Sequence, residues 1–524
     1  MKTVNIVGAG LAGLSAALEL SKRGIACNLI SSQPSERAQS VLAEGGINAA
    51  LNTMGEDDTV AEHFYDTMKG GCFLEAESSV KNLTDGAPVV VEELLRLGTP
   101  FCCEEGRIML RNFGGQKKKR TAYAKSSTGK MIMTAMIDAV RKYEAAGLVT
   151  RYPRHVLVNI CAEDGKLKYI DVKDMFGGSV IRFFGETILC TGGLNGLFDG
   201  LTTGSILNTA NAAALALGAG AELANLEFVQ YHPTTVRITG KRMLISEAAR
   251  GEGGRLFIMK SGKPWYFMEE KYPELGNLMP RDVVSREMFF VKRDADCEGE
   301  VMLDMRELDD AVWENKLSDL RNEIISYMHI DPKAEPVPVS PGIHYFMGGI
   351  RVDDAHRTNL DGLFAAGEAA CKYHGANRLG GNSMLGAVFG GMTAAKTASG
   401  SECCTRAEIV DEKYGGDEAT FAVSKRIGEA LTEGMGIVRT AETLSSAQKM
   451  LEELLDGDLS RIDSLRVTLG LAMVRSAELR KESRGAHYRS DFPKTDDSQR
   501  LHSVAKIKNG QLTIALEKPK AGGA

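Results

Sequence analysis

Three glycines near the start of the chain have the spacing of a nucleotide-binding turn. Gly8, Gly10 and Gly13 follow the apolar residues 4–7 and precede a helical pattern that continues to about Arg23. In such a turn the first glycine permits the tight bend, the second lets the main chain approach a pyrophosphate, and the third lets helix and strand pack closely. Free N–H groups at the helix N-terminus then bind the phosphates. The sequence therefore predicts a dinucleotide site at this turn.

The identity of the dinucleotide follows from what lies at the ends of three strands. The second strand ends at Ser31, where an NAD fingerprint carries an acidic residue that binds the ribose. Residues 188–193 and 363–368 each contain another apolar strand that ends in glycine. Three glycine-tipped strands far apart in sequence predict an elongated cofactor that crosses the end of the sheet. This pattern favours FAD over NAD.

The overall charge excludes one class of partner and constrains how a substrate is held. The 524 residues carry 63 Lys and Arg against 69 Asp and Glu, a formal net charge of −6. Such a balance argues against nucleic acid as a partner. An anionic small-molecule substrate would therefore have to be bound by a local cluster of Arg and His. The length exceeds one ordinary core and predicts two or three domains.

The start of the chain and its apolar stretches favour a cytoplasmic protein. The first strand begins within a few residues of Met1, without the basic and apolar regions of a secretory leader. The longest apolar stretch, residues 210–224, contains Asn211 and Glu222 and is too short to span a bilayer. We expect this stretch to form a packed helix. The prediction is a protein without a direct membrane span, which reaches a membrane surface only through partners.

The cysteines do not have the spacing of a metal or haem site. Ten cysteines occur singly or as adjacent pairs, and no Cys-x-x-Cys is present. Neither an iron–sulfur cluster nor an attached haem is expected on this chain, and no metal site is predicted. If electrons arrive through a cluster, a separate iron–sulfur subunit carries it.

Changes of pattern divide the chain into segments. Residues 228–342 are irregular and rich in aromatic residues and prolines, which indicates an inserted domain, and residues 405–490 have helical periodicity. In the tail, two alternating runs flank Asn509-Gly510 and predict a β-hairpin. The basic run at residues 117–120 lies in a glycine-rich loop, and we expect it to form a solvated face.

A set of further motifs is distributed along the chain. The motifs, in chain order, are Ala43-Glu44-Gly45-Gly46, Phe113-Gly114-Gly115-Gln116, Arg120-Thr121-Ala122-Tyr123-Ala124, Gln230-Tyr231-His232-Pro233-Thr234, Glu247-Ala248-Ala249-Arg250-Gly251-Glu252-Gly253, Pro280-Arg281-Asp282-Val283-Val284-Ser285-Arg286, His344-Tyr345-Phe346-Met347-Gly348-Gly349, His374-Gly375-Ala376-Asn377-Arg378-Leu379 and Glu482-Ser483-Arg484-Gly485-Ala486-His487. Together these motifs resemble the flavoprotein subunit of succinate dehydrogenase and fumarate reductase, whose relatives include L-aspartate oxidase. The resemblance extends from Val4 to about Asp497, and the family also has a serine at the position of Ser31.

The resemblance implies an α/β fold (α+β overall) in which a Rossmann-like FAD-binding domain is interrupted by a capping domain and followed by a helical domain. The expected boundaries are 1–227 and 343–404 for the two parts of the FAD-binding domain, 228–342 for the capping (substrate) domain, 405–490 for the helical domain and 491–524 for the tail with its hairpin.

The resemblance also implies a reaction, which is reduction of fumarate to succinate or its reverse. The flavin N5 supplies a hydride on one face of the substrate, and Arg281 delivers a proton on the other. A guanidinium rarely gives up a proton, but it can act as an acid when transfer is concerted and the proton is replaced at once. Glu247 and Arg250 form the relay that replaces it.

The remaining site residues are carried over in the same way. The substrate carboxylates are expected to contact His232, Ser246, His344 and Arg378, with Phe113 against the substrate. Ser246 stands where the family usually has Thr, so the hydroxyl is kept. The residues expected to contact FAD are Gly8, Gly10, Gly13, Ser31, Ser40, Gly45, Gly46, Thr191, Gly192, Gly193, Glu368, Asn382 and Ser383.

One departure from the family concerns attachment of the cofactor. Many members bind FAD covalently through a histidine just before the Ala-Glu-Gly-Gly motif, and this chain has Gln39 there. A carboxamide cannot form that bond, so noncovalent FAD is predicted. Because covalent attachment tends to raise the flavin reduction potential, its absence favours fumarate reduction over succinate oxidation.

Three alternatives stay open at this stage. L-aspartate oxidase, which makes iminosuccinate, also binds FAD noncovalently, but it carries Glu before the Gly-Gly pair where this chain has Phe113. An apolar ring suits fumarate and gives the aspartate ammonium no counter-charge. Side chains near the pocket could instead select another α,β-unsaturated carboxylate. An FAD-carrying subunit without activity would leave the relay and carboxylate residues unexplained. The electron donor, the direction and the oligomeric state do not follow from the sequence.

Overall fold

The computed structural model describes residues 2–125, 127–198, 200–400, 406–411, 414 and 419–520. The first part of the chain, up to residue 227, contains half of the described strands. These strands are Thr3–Val7 (β1), Ala26–Ser31 (β2), Ile47–Asn48 (β3), Cys103–Glu104 (β4), Arg107–Ile108 (β5), Leu110–Arg111 (β6), Thr121–Ala122 (β7), Val149–Pro153 (β8), His155–Glu163 (β9), Lys166–Asp174 (β10), Val180–Phe184 (β11), Thr187–Leu189 (β12) and Leu223–Ala224 (β13). The α-helices here are Leu11–Lys22 (α1), Val60–Gly70 (α2), Glu77–Arg96 (α3), Thr128–Ala145 (α4) and Asn211–Gly218 (α5).

The middle of the chain contains two antiparallel sheets and short helices. Its strands are Val229–Ile238 (β14), Lys241–Leu244 (β15), Arg255–Lys260 (β16), Lys263–Trp265 (β17), Cys297–Asp304 (β18), Val337–Pro338 (β19) and Ser340–Phe346 (β20). Its helices are Ala248–Gly251 (α6), Phe267–Lys271 (α7), Arg281–Val291 (α8), Asp310–Asn315 (α9) and Ser318–Met328 (α10).

The last part returns to the first sheet and then becomes helical. Its strands are Gly349–Arg351 (β21), Leu363–Ala365 (β22), Ala370–Cys371 (β23), Ala407–Val410 (β24), His502–Lys508 (β25) and Gln511–Glu517 (β26). Its helices are Asn382–Ala398 (α11), Phe421–Gly434 (α12), Ala441–Leu455 (α13) and Arg461–Leu479 (α14).

A parallel sheet in the order β22-β12-β1-β2-β8 forms the framework of the nucleotide site. β1 pairs in parallel with β2 and β12, and β12 pairs in parallel with β22. The glycine-tipped strands predicted from the sequence, β1, β12 and β22, are therefore direct neighbours. Their carboxyl ends lie at one edge of the sheet, where ligands bind in open α/β sheets. This mixed helix and sheet architecture confirms the predicted fold class.

The middle of the chain positions the second half of the site. β14 lies between β15 and β20 in an antiparallel sheet, and α8 packs against β14. A separate sheet in the order β17-β16-β18-β19 lies beside them. Buried apolar residues of these elements, such as Ile245, Val284 and Leu303, form one hydrophobic cluster that also includes Phe113 from the first part of the chain.

The predicted tail hairpin is present, and it completes a sheet that the sequence did not predict. Asn509 and Gly510 have φ values of +52° and +77°, which suit the tight turn between β25 and β26. β25 then pairs with β13, so that the sheet runs β23-β21-β13-β25-β26. The tail therefore packs on the strand that immediately precedes β14.

Two expectations about local structure are wrong. The apolar residues 210–224 do not form one helix, because α5 ends at Gly218 and Gly220, with φ of +92°, turns the chain into β13. The basic run is only partly solvated: Arg120 is fully buried and forms ion pairs with Asp58 and Asp66, each at 2.9 Å.

The predicted division into five segments stays a prediction. Its boundary between residues 404 and 405 lies outside the residues that the structure describes. In the described part of the chain, no helix combines the length and apolar character needed to cross a bilayer.

Candidate active site

The turn between β1 and α1 has a geometry that only glycine can adopt. Gly8 has φ of +110°, and a Cβ atom there would lie 2.2 Å from the carbonyl oxygen of Cys190, which follows β12. A Cβ on Gly13 would lie 1.8 Å from the carbonyl oxygen of Gly8. The turn therefore packs α1 directly onto the sheet, with the first turn of the helix facing the carboxyl edge of the strands. This arrangement fits a bound pyrophosphate.

A continuous cavity extends from this turn to the side chains of Arg281 and Arg378. Most of the site residues predicted from the sequence line it. They are Gly8, Gly10, Ser31, Ser40, Gly45, Gly46, Phe113, Thr191, Gly192, Gly193, His232, Ser246, Glu247, Arg281, His344, Glu368, Arg378 and Ser383. The nucleotide end and the cation end of the cavity are thus two parts of one site.

Three predicted residues do not line the cavity. Gly13 lies behind the turn and acts through packing. Arg250 lies behind Glu247. The side chain of Asn382 is buried at the start of α11, where its oxygen accepts from Asn48 at 2.8 Å and its amide nitrogen donates to Thr67 at 3.0 Å. This geometry therefore does not support a direct contact between the Asn382 side chain and the cofactor.

Two histidines face each other across paired strands. His232 on β14 is opposite Gly342 on β20, and the ring centroids of His232 and His344 are 5.2 Å apart. His344 Nδ1 shares a hydrogen bond of 2.8 Å with the Thr203 hydroxyl. Nε2 of His232 is buried and has no hydrogen-bond partner among the described residues. Nδ1 of the same ring donates to the Thr234 carbonyl oxygen at 3.2 Å, so Nε2 of the neutral ring accepts a hydrogen bond and would donate to a ligand carboxylate only as imidazolium.

Burial keeps both imidazoles neutral. Burial first, and then the nearby Arg281, lower the pKa of His232 and of His344 well below the usual value. A neutral imidazole has one N–H donor. That of His344 is available to a carboxylate when Nδ1 accepts from the Thr203 hydroxyl, whereas that of His232 is used by the Thr234 carbonyl oxygen. The positive charge of the site therefore comes from its arginines.

Arg281, Glu247 and Arg250 form a buried chain. Arg281 is the first residue of α8 and donates through Nε and Nη2 to Oε2 of Glu247, at 2.8 and 2.5 Å. Nη2 of Arg250 lies 3.4 Å from Oε1 of Glu247. The N–H of Gly114 donates to the same oxygen at 3.1 Å. Burial would raise the pKa of Glu247, but Arg281 and Arg250 hold it below its usual value, so the carboxylate is ionised.

Arg378 approaches Arg281 through a shared acceptor. The side-chain oxygen of Gln230 accepts from Nη1 of Arg281 at 3.2 Å and from Nη2 of Arg378 at 3.1 Å. The Arg378 guanidinium also lies 4.6 Å from the ring centroid of Tyr345. Burial and the charge of Arg281 lower the pKa of Arg378 to about 9, so it remains positive at neutral pH. Arg281, His344 and Arg378 therefore gather at one end of the cavity, as the proposed reaction requires.

Besides Glu247, two glutamates line the cavity, and burial shifts both towards the neutral form. Burial raises the pKa of Glu368 to about 7, so it is about half ionised at neutral pH. Burial and, secondly, the carboxylate of Glu323 raise the pKa of Glu44 well above its usual value. At the other end of the cavity, the guanidiniums of Arg250, Arg281 and Arg378 and the ionised Glu247 sum to two net positive charges. That charge complements a dianionic dicarboxylate.

Sequence reasoning missed several residues of the site. Gln230 begins the motif that contains His232, but the sequence did not indicate its role. Thr203 and Tyr345, which orient His344 and Arg378, are far from their partners in sequence. Gln39, at the family's attachment position, accepts a hydrogen bond from the Ser205 N–H at 2.5 Å. These contacts join segments that are far apart in sequence and meet only in the folded chain.

Comparison with known proteins identifies the family. A family model described as FAD binding domain matches residues 3–384, and one described as fumarate reductase flavoprotein C-term matches residues 460–520. The succinate dehydrogenase flavoprotein subunit of Bacillus subtilis is 36% identical, over 96% of this chain and 93% of its own length. The chain belongs to the succinate dehydrogenase and fumarate reductase flavoprotein family. Its resemblance extends beyond Asp497, into the tail hairpin.

Other members of the family and solved structures support this assignment. The fumarate reductase flavoprotein subunit of Mycobacterium tuberculosis is 33% identical to this flavoprotein, over 97% of this chain and 95% of its own length. The structure of E. coli quinol fumarate reductase has a TM-score of 0.88 at 28% identity, covering 99% of this chain and 97% of the other. Sdh1 of Mycobacterium smegmatis has a TM-score of 0.82 at 27% identity, with 99% and 95% coverage. This chain is an FAD-dependent oxidoreductase of that family.

The nucleotide end fits FAD by its own geometry. A Cβ on Gly46 would lie 2.5 Å from the Thr121 side chain, and one on Gly193 would lie 2.6 Å from Glu368 Oε1, so side chains are excluded along the path of the cofactor. The cavity continues from the β1–α1 turn past both glycines. In the described residues, no group of His, Cys, Asp and Glu side chains could hold a metal ion.

Proposed function

We propose that this flavoprotein reduces fumarate to succinate, with Arg281 as the proton donor. The observation that carries the proposal is the location of Arg281, Arg378 and two neutral histidines in the same cavity as the FAD site. The two net positive charges at this end match the two carboxylates of fumarate. The same residues would serve succinate oxidation in reverse.

The residues at the cation end would hold the substrate by its carboxylates. Arg378 suits a bidentate contact with one carboxylate. The Ser246 hydroxyl and the N–H of neutral His344, which both line the cavity, suit hydrogen bonds to the substrate. His232 Nε2 is buried without a partner among the described residues and would join them when the ring is protonated. FAD, when bound, supplies the hydride. The cations draw electron density from the double bond and stabilise the charge that develops in the transition state.

Arg281 would deliver the proton, and Glu247 and Arg250 would replace it. Glu247 accepts both hydrogen bonds from Arg281, so it is placed to take up a proton from the side of Arg250 and then pass it to Arg281. Arg250, on the far side of Glu247, extends the path away from the cavity. A guanidinium that loses its proton only as the substrate carbon gains it never has to exist as a free neutral base.

We infer that FAD is bound noncovalently, because Gln39 occupies the attachment position and its carboxamide oxygen is used by the Ser205 N–H. After denaturation and removal of the precipitated protein, the yellow chromophore is expected in the supernatant. A chromophore that stays with the washed, denatured protein would contradict noncovalent binding.

L-aspartate oxidation is a second candidate, and one observation favours it. Glu44 lines the cavity and carries a carboxyl that could face an ammonium group. Its raised pKa weakens this role, because a neutral carboxyl offers no counter-charge. Phe113, which is 1% exposed, also places an apolar ring at the site. Peroxide release with L-aspartate, without fumarate or succinate turnover, would establish this alternative.

We also propose that the chain acts as the flavoprotein component of a complex, with an iron–sulfur partner as electron carrier. Its relatives from Bacillus subtilis and Mycobacterium tuberculosis are both named as flavoprotein subunits. Mild purification followed by identification of co-purifying subunits tests this proposal. A monomeric, fully active enzyme with a soluble electron donor would argue against it.

The proposed reaction is tested by an assay with reduced viologen as an artificial electron donor. The protein is offered fumarate, L-aspartate and related α,β-unsaturated carboxylates. We expect the highest kcat/KM with fumarate. A different enoate as the preferred substrate would retain the chemistry but reassign the substrate.

A further inference from the structure

Gln230 is a completely buried carboxamide between the two arginines of the cation end. Its oxygen accepts one hydrogen bond from Arg281 and one from Arg378. Two guanidiniums this close repel each other, and the shared oxygen offsets part of that repulsion. Because the amide is neutral, it does so without cancelling either positive charge.

The orientation of the Gln230 amide is fixed from its other side. Nε2 of Gln230 donates to the Asn377 side-chain oxygen at 2.7 Å and to the Arg378 carbonyl oxygen at 2.8 Å. If the amide flipped, its NH₂ group would face two guanidiniums that have no acceptor to offer. The bond to Asn377 therefore favours the orientation in which the oxygen faces the arginines.

Asn377 is oriented in turn by Asp282. Nδ2 of Asn377 donates to Oδ1 of Asp282 at 2.9 Å. Burial raises the pKa of Asp282, and the charge of Arg286 opposes that shift. In its ionised form the carboxylate only accepts hydrogen bonds, so it selects the NH₂ side of Asn377 and turns the oxygen towards Gln230. Asp282 follows Arg281 at the start of α8, whereas Asn377 precedes Arg378. The chain of amides therefore connects the two segments that carry the arginines.

We propose that the chain Asp282–Asn377–Gln230 is a positioning device that directs both guanidiniums at the substrate and preserves their charge. Neither Asn377 nor Gln230 needs to touch the reacting atoms. The proposal rests on the proposed function, since it assigns the two arginines to a dianionic substrate. It explains why an amide rather than a carboxylate lies between them.

The charge part of the proposal is tested with Gln230→Glu. A carboxylate here would pair with the guanidiniums and cancel one of the two net positive charges. We expect KM for fumarate, and the dissociation constant of the inhibitor malonate, to rise on the order of 10- to 100-fold, with a smaller loss of kcat. Gln448→Glu, on α13, is the matched control and should leave all three unchanged.

The orientation part is tested by exchanging the acid and the amide. Asn377→Asp places two carboxylates side by side and should raise KM about 10-fold at alkaline pH. In the double variant Asn377→Asp with Asp282→Asn, the new amide donates to the new acid, which still accepts from Gln230. This exchange should restore KM to within about threefold of the wild type, whereas Asn377→Leu has no such rescue.

The outcomes separate this inference from the proposed function. If the wild-type protein neither reduces fumarate nor binds malonate, the proposed function fails. If the wild type does both, but Gln230→Glu keeps its KM or the exchanged pair is no better than Asn377→Asp alone, the positioning role is overturned. FAD content and thermal unfolding of each variant show whether a loss reflects misfolding, and Asn377→Asp and the exchanged pair are compared only at equal FAD content.

Discussion

The two ends of the cavity are built in different ways. The nucleotide end consists largely of main chain, which comes from the β1–α1 turn, the glycines after β12 and the start of α1. The cation end consists of side chains from β14, β20, α6, α8 and the segment before α11. These elements are far apart in sequence: the hydrogen bond between Gln230 and Arg378, for example, joins residues 148 positions apart. The first end can be recognised from a few adjacent residues, whereas the second exists only after the chain has folded.

This difference implies that the two ends should fail in different ways. Changes at the nucleotide end should alter how much FAD is bound and leave the chemistry of loaded protein intact. Changes at the cation end should alter turnover and leave FAD binding intact. Substitutions at each end can test this separation.

The largest effect is expected for Arg281→Lys. The shorter ammonium cannot keep both hydrogen bonds to Glu247 and moves the acidic proton, so turnover of fumarate should fall by roughly 10³-fold. FAD content should stay at the wild-type level. Steady-state kinetics with reduced viologen and the flavin-to-protein ratio measure the two quantities. Arg96→Lys, on the exposed face of α3, is the control, and near-normal turnover of Arg281→Lys would remove Arg281 from the mechanism.

A smaller loss is expected for Glu247→Gln. The amide cannot take up a proton and pass it to Arg281, and it leaves the two buried guanidiniums without a counter-charge. We expect kcat to fall about 100-fold, with a smaller change in KM. A variant that changed KM alone would indicate that Glu247 holds the substrate site together and does not relay protons.

At the nucleotide end, Gly10→Ala should act on loading. A Cβ there would lie 3.1 Å from the Ser40 hydroxyl, next to the start of α1. The dissociation constant of FAD should rise about 10-fold, whereas kcat of the loaded fraction should stay within about twofold of the wild type. Titration of the apoprotein with FAD gives the first value. The exposed Gly400→Ala is the control, and a loaded Gly10→Ala protein with low kcat would break the separation between the two ends.

The smallest effect concerns stability at low pH, and the histidines behind it are distributed through the buried parts of the molecule. Burial lowers the pKa of seven of the nine histidines, among them His63 to about 3 and His356 to about 4. Below about pH 6.5 the unfolded chain binds protons that the folded protein excludes, so the free energy of unfolding decreases as the pH falls.

Thermal unfolding, followed by flavin fluorescence, should therefore show Tm falling by on the order of 5 °C between about pH 7 and about pH 5.5. Replacement of the exposed His329 by Gln should leave this slope unchanged. A Tm that is constant or rises over this interval would show that the buried histidines do not control acid stability.

The contrast between local main-chain turns and long-range side-chain contacts explains which features could be predicted from the sequence. Gly8 and Gly13 were predictable because the spacing of glycines determines a local turn. The Asn509-Gly510 hairpin was predictable for the same reason, but its pairing with β13 depends on tertiary structure. The burial of Arg120 was not foreseen, since Asp58 and Asp66 approach it from α2 and the loop before it. Arg281 and Arg378 were identified through family motifs, whereas the role of Gln230 required the packed structure.

The most direct test mixes the protein, with its bound FAD reduced anaerobically, with fumarate in a stopped-flow experiment. We predict that absorbance of oxidised flavin returns in a single turnover, with stoichiometric formation of succinate, and that Arg281→Lys slows this step while its FAD remains bound. Flavin that stays reduced in the presence of excess fumarate would contradict the assignment of the cation end to a dicarboxylate substrate.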